Sequence, residues 1–172
     1  MTGPLLASTS VAAEALAELE LSTVNGERRT LNQWLTTFQL ALVVVDPYTN
    51  ESAWILDTAI RLLDDFKGAD CRAGWLVTAD GRDAKRFLGP LAERYFTLVD
   101  PERAAVSALG IERLPALIHI RQDAVVVNKA EGWHPAEWQV VTDTLGTMMS
   151  WSRPRFPAAG DPGPFDGTLA KG

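Results

Sequence analysis

The dipeptide Leu114-Pro115 constrains the fold most tightly, because an apolar strand, Ala116 to Ile120, starts directly after it. Proline has no N–H to give to a sheet, so it sits at the first residue of a strand and not within a central one. Its neighbours extend the pattern. Tyr95 to Val99 is a short apolar strand stopped by Asp100-Pro101. Asp100 suits a helix N-cap and Pro101 the first turn. Ala104, Ala105, Ala108 and Leu109 fall at helical spacing, and Gly110 ends that helix. After Ile120, Gln122-Asp123 turns the chain back into Val125 to Val127. From Tyr95 to Trp133 the order is strand, helix, strand, turn, strand.

The rest of the chain continues this alternation. Met1 to Thr9 reads as a loose tail, and Ser10 to Leu19 as a short helix with Ser10 as N-cap. Glu20 to Val24 is a strand, Asn25-Gly26 a hairpin signal, and Arg28 to Leu31 the return strand. Asn32 to Thr37 forms a helical turn. Leu40 to Val45 is apolar at every position, as in a strand buried on both faces of its sheet. Asp46-Pro47 closes it, and Thr49 or Asn50 then caps a helix to about Lys67, striped by Ile55, Ala59, Leu62, Leu63 and Phe66. Cys71 to Thr78 is a strand, Asp80-Gly81 a turn, and Asp83 to Leu91 a helix. Pro135 opens a last helix to Met149, with Trp138, Val141, Leu145 and Met148 on one face. From Ser152 proline and glycine dominate, which predicts an extended or mobile tail with Phe156 and Phe165 as its anchors. The divisions are residues 1–18, a terminal stretch with a short helix; 19–151, the domain; and 152–172, the tail.

The segment LVDPERAAVSALGIERLPALIHIRQDAVVVNKAEGW resembles the second half of the thioredoxin-like fold, in particular the branch of peroxiredoxins and thiol-disulfide reductases. The Asn25-Gly26 hairpin is similar to the one preceding the core in that branch, and the resemblance covers roughly residues 19–149. It implies an α/β fold with a mixed central β-sheet flanked by helices, an N-terminal β-hairpin, and a Pro/Gly-rich C-terminal tail outside it. It also implies that Pro115 is cis, that it lies beside the active-site helix, and that Leu114 offers backbone groups to an extended peptide.

In that family the chemistry sits where the first core strand meets its helix, here Asp46 to Trp54. A thiol there is activated by the helix N-terminus, and a second thiol resolves the mixed disulfide. This segment contains no cysteine. The degenerate turn is Thr49, Asn50, Glu51, Ser52 and Trp54. Against the peroxiredoxin pattern, Ser52 stands where the peroxidatic cysteine would stand, and Pro47 is two residues too close. Thr49 and Ser52 read more simply as helix caps. The only cysteine, Cys71, reads as a small buried apolar residue, with a reactive thiol as the alternative.

The totals exclude several classes. A net charge of −6 argues against nucleic acid and anionic membranes as partners. One cysteine permits no internal disulfide, the N-terminus has no basic leader, and no apolar run is long enough to span a bilayer, so a cytoplasmic setting is expected. His119 and His134 lack metal-ligand spacing, and no nucleotide or nucleophile-elbow motif occurs, so no cofactor or metal is expected. Trp34, Trp75 and Trp138 read as core. Tyr48, Trp54, Leu114, Pro115 and Trp133 outline a groove for a protein or peptide. The expectation is therefore a redox-inactive binding module. The alternatives are an oxidoreductase or antioxidant using Cys71 or a partner's thiol, and an assembly role, as a homodimer or in a larger complex, in which the tail docks on a neighbour.

Overall fold

The computed structural model describes residues 12–172. The expected tail Met1–Thr9 and the cap Ser10 lie outside the described residues. Residues 12–17 are helical (α1). The sheet begins with β1 (Glu20–Thr23) and β2 (Arg28–Thr30), followed by α2 (Leu31–Trp34) and β3 (Gln39–Val45). Next come α3 (Asn50–Trp54), α4 (Leu56–Asp65), β4 (Cys71–Val77), α5 (Gly81–Leu88), α6 (Leu91–Arg94) and β5 (Phe96–Val99). The second half holds α7 (Ala104–Ala108), β6 (Arg113–Leu114), β7 (Ala116–Ile120), β8 (Val126–Glu131), α8 (Pro135–Met149) and β9 (Thr168–Leu169). The main sheet has seven strands in the order β2-β1-β5-β4-β3-β7-β8. β3, β4 and β5 are parallel, while β7 and β8 run antiparallel beside β3 and β1 runs antiparallel to β5.

Strand β3 explains the two-layer cover. Its side chains alternate between faces, and both faces are buried. Ala41, Val43 and Val45 join Trp75, α4 (Ile60 and its buried neighbours Leu62 and Leu63) and α8 on one side. Leu40, Leu42 and Val44 join Leu31 and Trp34 of α2, Val106 of α7, and Ile118 on the other. Each such aliphatic side chain contributes about 1.5–3 kcal/mol when fully removed from water.

Several local expectations are corrected. The helix expected from Thr49 to Lys67 is interrupted at Ile55, so α3 and α4 are separate; the break leaves Trp54 facing solvent and Ile55 in the core. Asp80 is itself the N-cap of α5, accepting from the Asp83 N–H at 2.8 Å, and the expected helix to Leu91 splits into α5 and α6 at Gly89-Pro90. Met148 is exposed, and Thr142 and Gly146 take its expected place on the buried face of α8.

The tail is extended, and it is packed against the domain. Phe156 is buried, meeting Trp133 and Trp138 edge-on at centroid distances of 5.7 and 6.2 Å, with the Arg61 guanidinium 4.9 Å above its ring. Asp161 returns to α4, where Arg61 pairs with it at 2.7 Å and the Thr58 hydroxyl donates to it at 2.8 Å. Burial works to raise the pKa of Asp161, but the Ala158 N–H, the Thr58 hydroxyl and Arg61 together hold it below the usual carboxylate range.

Asp100 caps a helix at longer reach than expected. Arg103 occupies the N-cap position of α7 in a left-handed conformation (φ 59°), and Pro101 lies in the turn before it. The buried Asp100 carboxylate accepts from the backbone N–H groups of Ala105 and Val106 at 3.0 and 2.9 Å. Asp100→Ala would leave two buried donors without a partner. It is expected to lower unfolding stability by about 2–3 kcal/mol, read as a lower midpoint at unchanged slope in urea denaturation.

Candidate functional site

The site lies at the carboxyl end of β3, and it is organised by Asp46. Asp46 is buried, and its backbone N–H donates to the Ser52 hydroxyl at 2.9 Å. Its carbonyl accepts from the Thr49 hydroxyl at 3.2 Å. Thr49 and Ser52, expected to cap the helix, instead bind the backbone of Asp46; no side chain caps α3 at Thr49. One carboxylate oxygen accepts the Tyr48 N–H at 3.0 Å, and the other accepts Arg103 Nη2 at 3.0 Å. Arg103 Nη1 donates to the Ala170 carbonyl at 2.6 Å, which ties the tail to the same carboxylate. Arg103 and Asp46 have side-chain exposures of 20% and 2%, so this pair is largely shielded from water and from salt.

The outer face of the turn is different. Tyr48 and Trp54 are 63% and 55% exposed, and Asn50 is exposed as well. Glu51 is half-buried in the first turn of α3. The Tyr48 hydroxyl donates to Asp83 at 2.5 Å, and that hydrogen bond, with burial and the carboxylates of Asp83, Asp80 and Asp46, pushes the phenol up to about 12.

Beside Leu114-Pro115, where a groove was expected, the protein's own tail packs as a strand. The Leu114–Pro115 bond is cis. β9 pairs antiparallel with β6, Leu114 opposite Thr168 and Arg113 opposite Leu169. Further backbone bonds flank this ladder: Ala170 N–H to Glu112 O at 2.8 Å, and a reciprocal pair between Trp133 and Phe165 at 2.7 and 2.9 Å. Trp133 was expected to line an open contact surface; it is fully buried, and its Nε1 donates to the Pro162 carbonyl at 2.8 Å. Leu114 and Pro115 are buried too. Of the expected contact residues only Tyr48 and Trp54 face solvent, and the Trp54 ring meets Phe165 edge-on at 5.6 Å.

Cys71 is remote from this site. It begins β4 opposite Gln39, six residues along the paired strands from Val45. At about 3.3 Å per residue that is roughly 20 Å from the turn. The thiol is buried, and burial with the charge of Asp70 pushes it up to about 11. His119 is buried on β7, opposite Ala41. Its Nε2 lies 2.6 Å from Gln39 Oε1, within hydrogen-bond distance, and Nδ1 has no hydrogen-bond partner among the described residues. Burial, aided by Arg121, lowers its pKa to about 4. Among the described residues no group of three or more His, Cys, Asp or Glu could hold a metal ion, and no helix is long and apolar enough to cross a membrane.

Asp46 and Arg103 were not singled out from the sequence. A signal existed: β3 and β5 both end in Val-Asp-Pro, Val45-Asp46-Pro47 and Val99-Asp100-Pro101. A carboxylate ending a buried strand demands a donor nearby, though the spacing alone does not name Arg103.

No family model matches the chain, and no curated protein matches it. Solved structures do. One described as a thiol:disulfide interchange protein DsbE from Chlorobium tepidum is 15% identical, covering 76% of this chain and 92% of the other, with a TM-score of 0.62. A peroxiredoxin Q variant from Xanthomonas campestris is 15% identical over 78% of this chain and 94% of its own, at 0.64. A hypothetical protein from Sinorhizobium meliloti is 12% identical over 91% of each chain, at 0.65. The protein thus has the thioredoxin-like fold of thiol-disulfide oxidoreductases and peroxiredoxin Q. Within that fold it is a form without a C-x-x-C motif, since Cys71 is the one cysteine of the chain.

Two pH-dependent outcomes follow from the buried groups. At pH 8 a thiol held near 11 is about one-thousandth ionised, so Cys71 is expected to react with a thiol reagent only after denaturant is added. For His119 the folded value of about 4 lies below the ordinary 6.5, so the unfolded chain binds the extra proton. Its contribution is present above about 6.5 and is lost as pH falls to about 4. In urea denaturation His119→Gln should show a shallower loss of stability across that window than the unaltered chain.

Proposed function

We propose that this protein works by binding a protein or peptide at the face built from the β3–α3 turn and β6, and that it carries out no dithiol chemistry. One observation carries the reading: where thiol chemistry would need sulfur, the turn holds the Asp46–Arg103 pair and a buried Ser52 hydroxyl engaged with the Asp46 N–H. Ser52 is fully buried, its hydroxyl accepts from the Asp46 N–H, and no side chain among the described residues hydrogen-bonds to it, which supports a structural hydroxyl over a nucleophile. Exchange through a mixed disulfide requires a thiolate at the substrate. Cys71 is about 20 Å away along the sheet, buried and protonated. What remains is a recognition surface: a short strand, β6, able to pair with an extended segment, and the exposed rings of the β3–α3 turn, Tyr48 and Trp54, of which Trp54 meets the tail at Phe165.

The second reading is an oxidoreductase that uses Cys71 or a thiol brought by a partner. It is favoured by the names of the structural neighbours, a thiol:disulfide interchange protein and a peroxiredoxin. Two assays separate the readings. With purified protein, insulin reduction by dithiothreitol and consumption of hydrogen peroxide are expected to run at the uncatalysed rate, unchanged in Cys71→Ser. Turnover that disappears in Cys71→Ser would replace the binding reading with the second one.

A further inference from the structure

The tail bound in the groove is a sample of what the groove accepts. Three positions of residues 165–170 are selected by the surface beneath them. Phe165 exchanges two backbone hydrogen bonds with Trp133 and places its ring against the edge of Trp54. Gly167 lies so close to Leu114 that a Cβ would stand 2.4 Å from the Leu114 carbonyl oxygen, and its φ of +83° disfavours any other residue. Ala170 is fully buried, with its N–H on the Glu112 carbonyl and its own carbonyl on Arg103. Between them Thr168 and Leu169 pair with β6, and Leu169 is 59% exposed, so its side chain is not read. The domain side is shaped to match. Gly132, with φ +70°, lets the tail backbone pass where a Cβ would meet the Asp166 carbonyl at 2.5 Å.

We propose that residues 165–170 are an intramolecular ligand, and that the partner implied by the reading above is an extended segment with the same pattern: an aromatic residue, glycine two positions on, and alanine five positions on. Binding is then an exchange of strands. The partner's segment pairs with β6 and Trp133 while the tail leaves. A tethered tail competes at an effective concentration of order millimolar, so the unaltered chain binds such a peptide weakly. Loosening the tail from its own side exposes the full affinity of the groove.

The probe is a fluorescein-labelled peptide with the sequence of residues 163–172, GPFDGTLAKG, read by fluorescence anisotropy against the full chain. In Gly167→Ala the tail carries the clashing Cβ and the groove is untouched. Amide exchange at Phe165 and Ala170 should accelerate at least tenfold with β3 amides unchanged, and the peptide should bind at least tenfold more tightly than to the unaltered chain. Phe165→Ala, which alters a half-buried tail residue, should give the same gain. A peptide with alanine in place of its glycine should not bind either variant. Unchanged exchange at Phe165 and Ala170 in both variants, or faster exchange without gain in peptide affinity, overturns the proposal. Such a failure leaves the redox assays as they were, whereas disulfide or peroxide turnover by these variants would overturn the binding reading itself.

Discussion

A carboxylate removed from water must be given a cation or hydrogen-bond donors, and Asp46 is the point where this requirement shapes the molecule. It directly follows β3, an interior strand buried on both faces, so solvent cannot satisfy it. The carboxylate is satisfied by the Tyr48 N–H of the turn and by Arg103 at the start of α7; Ser52 accepts from the Asp46 backbone N–H, and Arg103 in turn holds the tail at the Ala170 carbonyl. Arg103 adopts a left-handed backbone, which costs a non-glycine residue about 1–2 kcal/mol. The ion pair and the hydrogen bond to Ala170 are interactions that offset that cost. The position is a polar joint linking strand, helix and tail.

The tail completes the domain in two ways. Near α8 it supplies apolar cover: Phe156 sits in the corner between Trp133 and Trp138, and the rings meet edge-on, an arrangement that adds about 0.5–1.5 kcal/mol per pair beyond area burial. Beyond Asp161 it supplies backbone. An unpaired edge strand invites pairing with other chains, and β9 covers β6. The cover is short, two residues of ladder and a bridge at Trp133–Phe165, whereas β3 and β4 pair over seven residues. A short ladder opens at lower free energy than a long one within the core sheet.

Much of the architecture was legible in the chain because it depends on local periodicity. Leu40 to Val45 announced a doubly buried strand, Asn25-Gly26 a hairpin, and Pro135 a helix start, and each signal is contained within a few residues. The site was legible only in what it lacks, since a missing cysteine needs no geometry to be seen. Its actual contents escaped. Asp46 and Arg103 are 57 residues apart, and nothing in the spacing couples them. Thr49 and Ser52 looked like caps because capping preference is a statement about hydroxyls near helix starts; which backbone group they bind depends on how the turn folds. The break at Ile55 was hidden in the same way, since an apolar stripe continues smoothly across it.

In the tail, the residues named as anchors, Phe156 and Phe165, do hold the extended segment to the domain. Proline and glycine argue that residues 152–172 cannot build a core of their own, and they do not; they borrow one, filling the Trp133–Trp138 corner and pairing with β6. The order of most strands and helices, the burial of β3 on both faces and the lack of a second cysteine could be read from the chain alone, because each follows from which residues are near neighbours in it; the helix breaks and β9 could not. Only the tertiary structure decided that Asp46 meets Arg103, that Trp133 is covered, and that the groove beside Leu114 holds residues 165–170. Those contacts join segments tens of residues apart, and the free energy that selects them exists only once the sheet has brought their backbones within hydrogen-bonding distance.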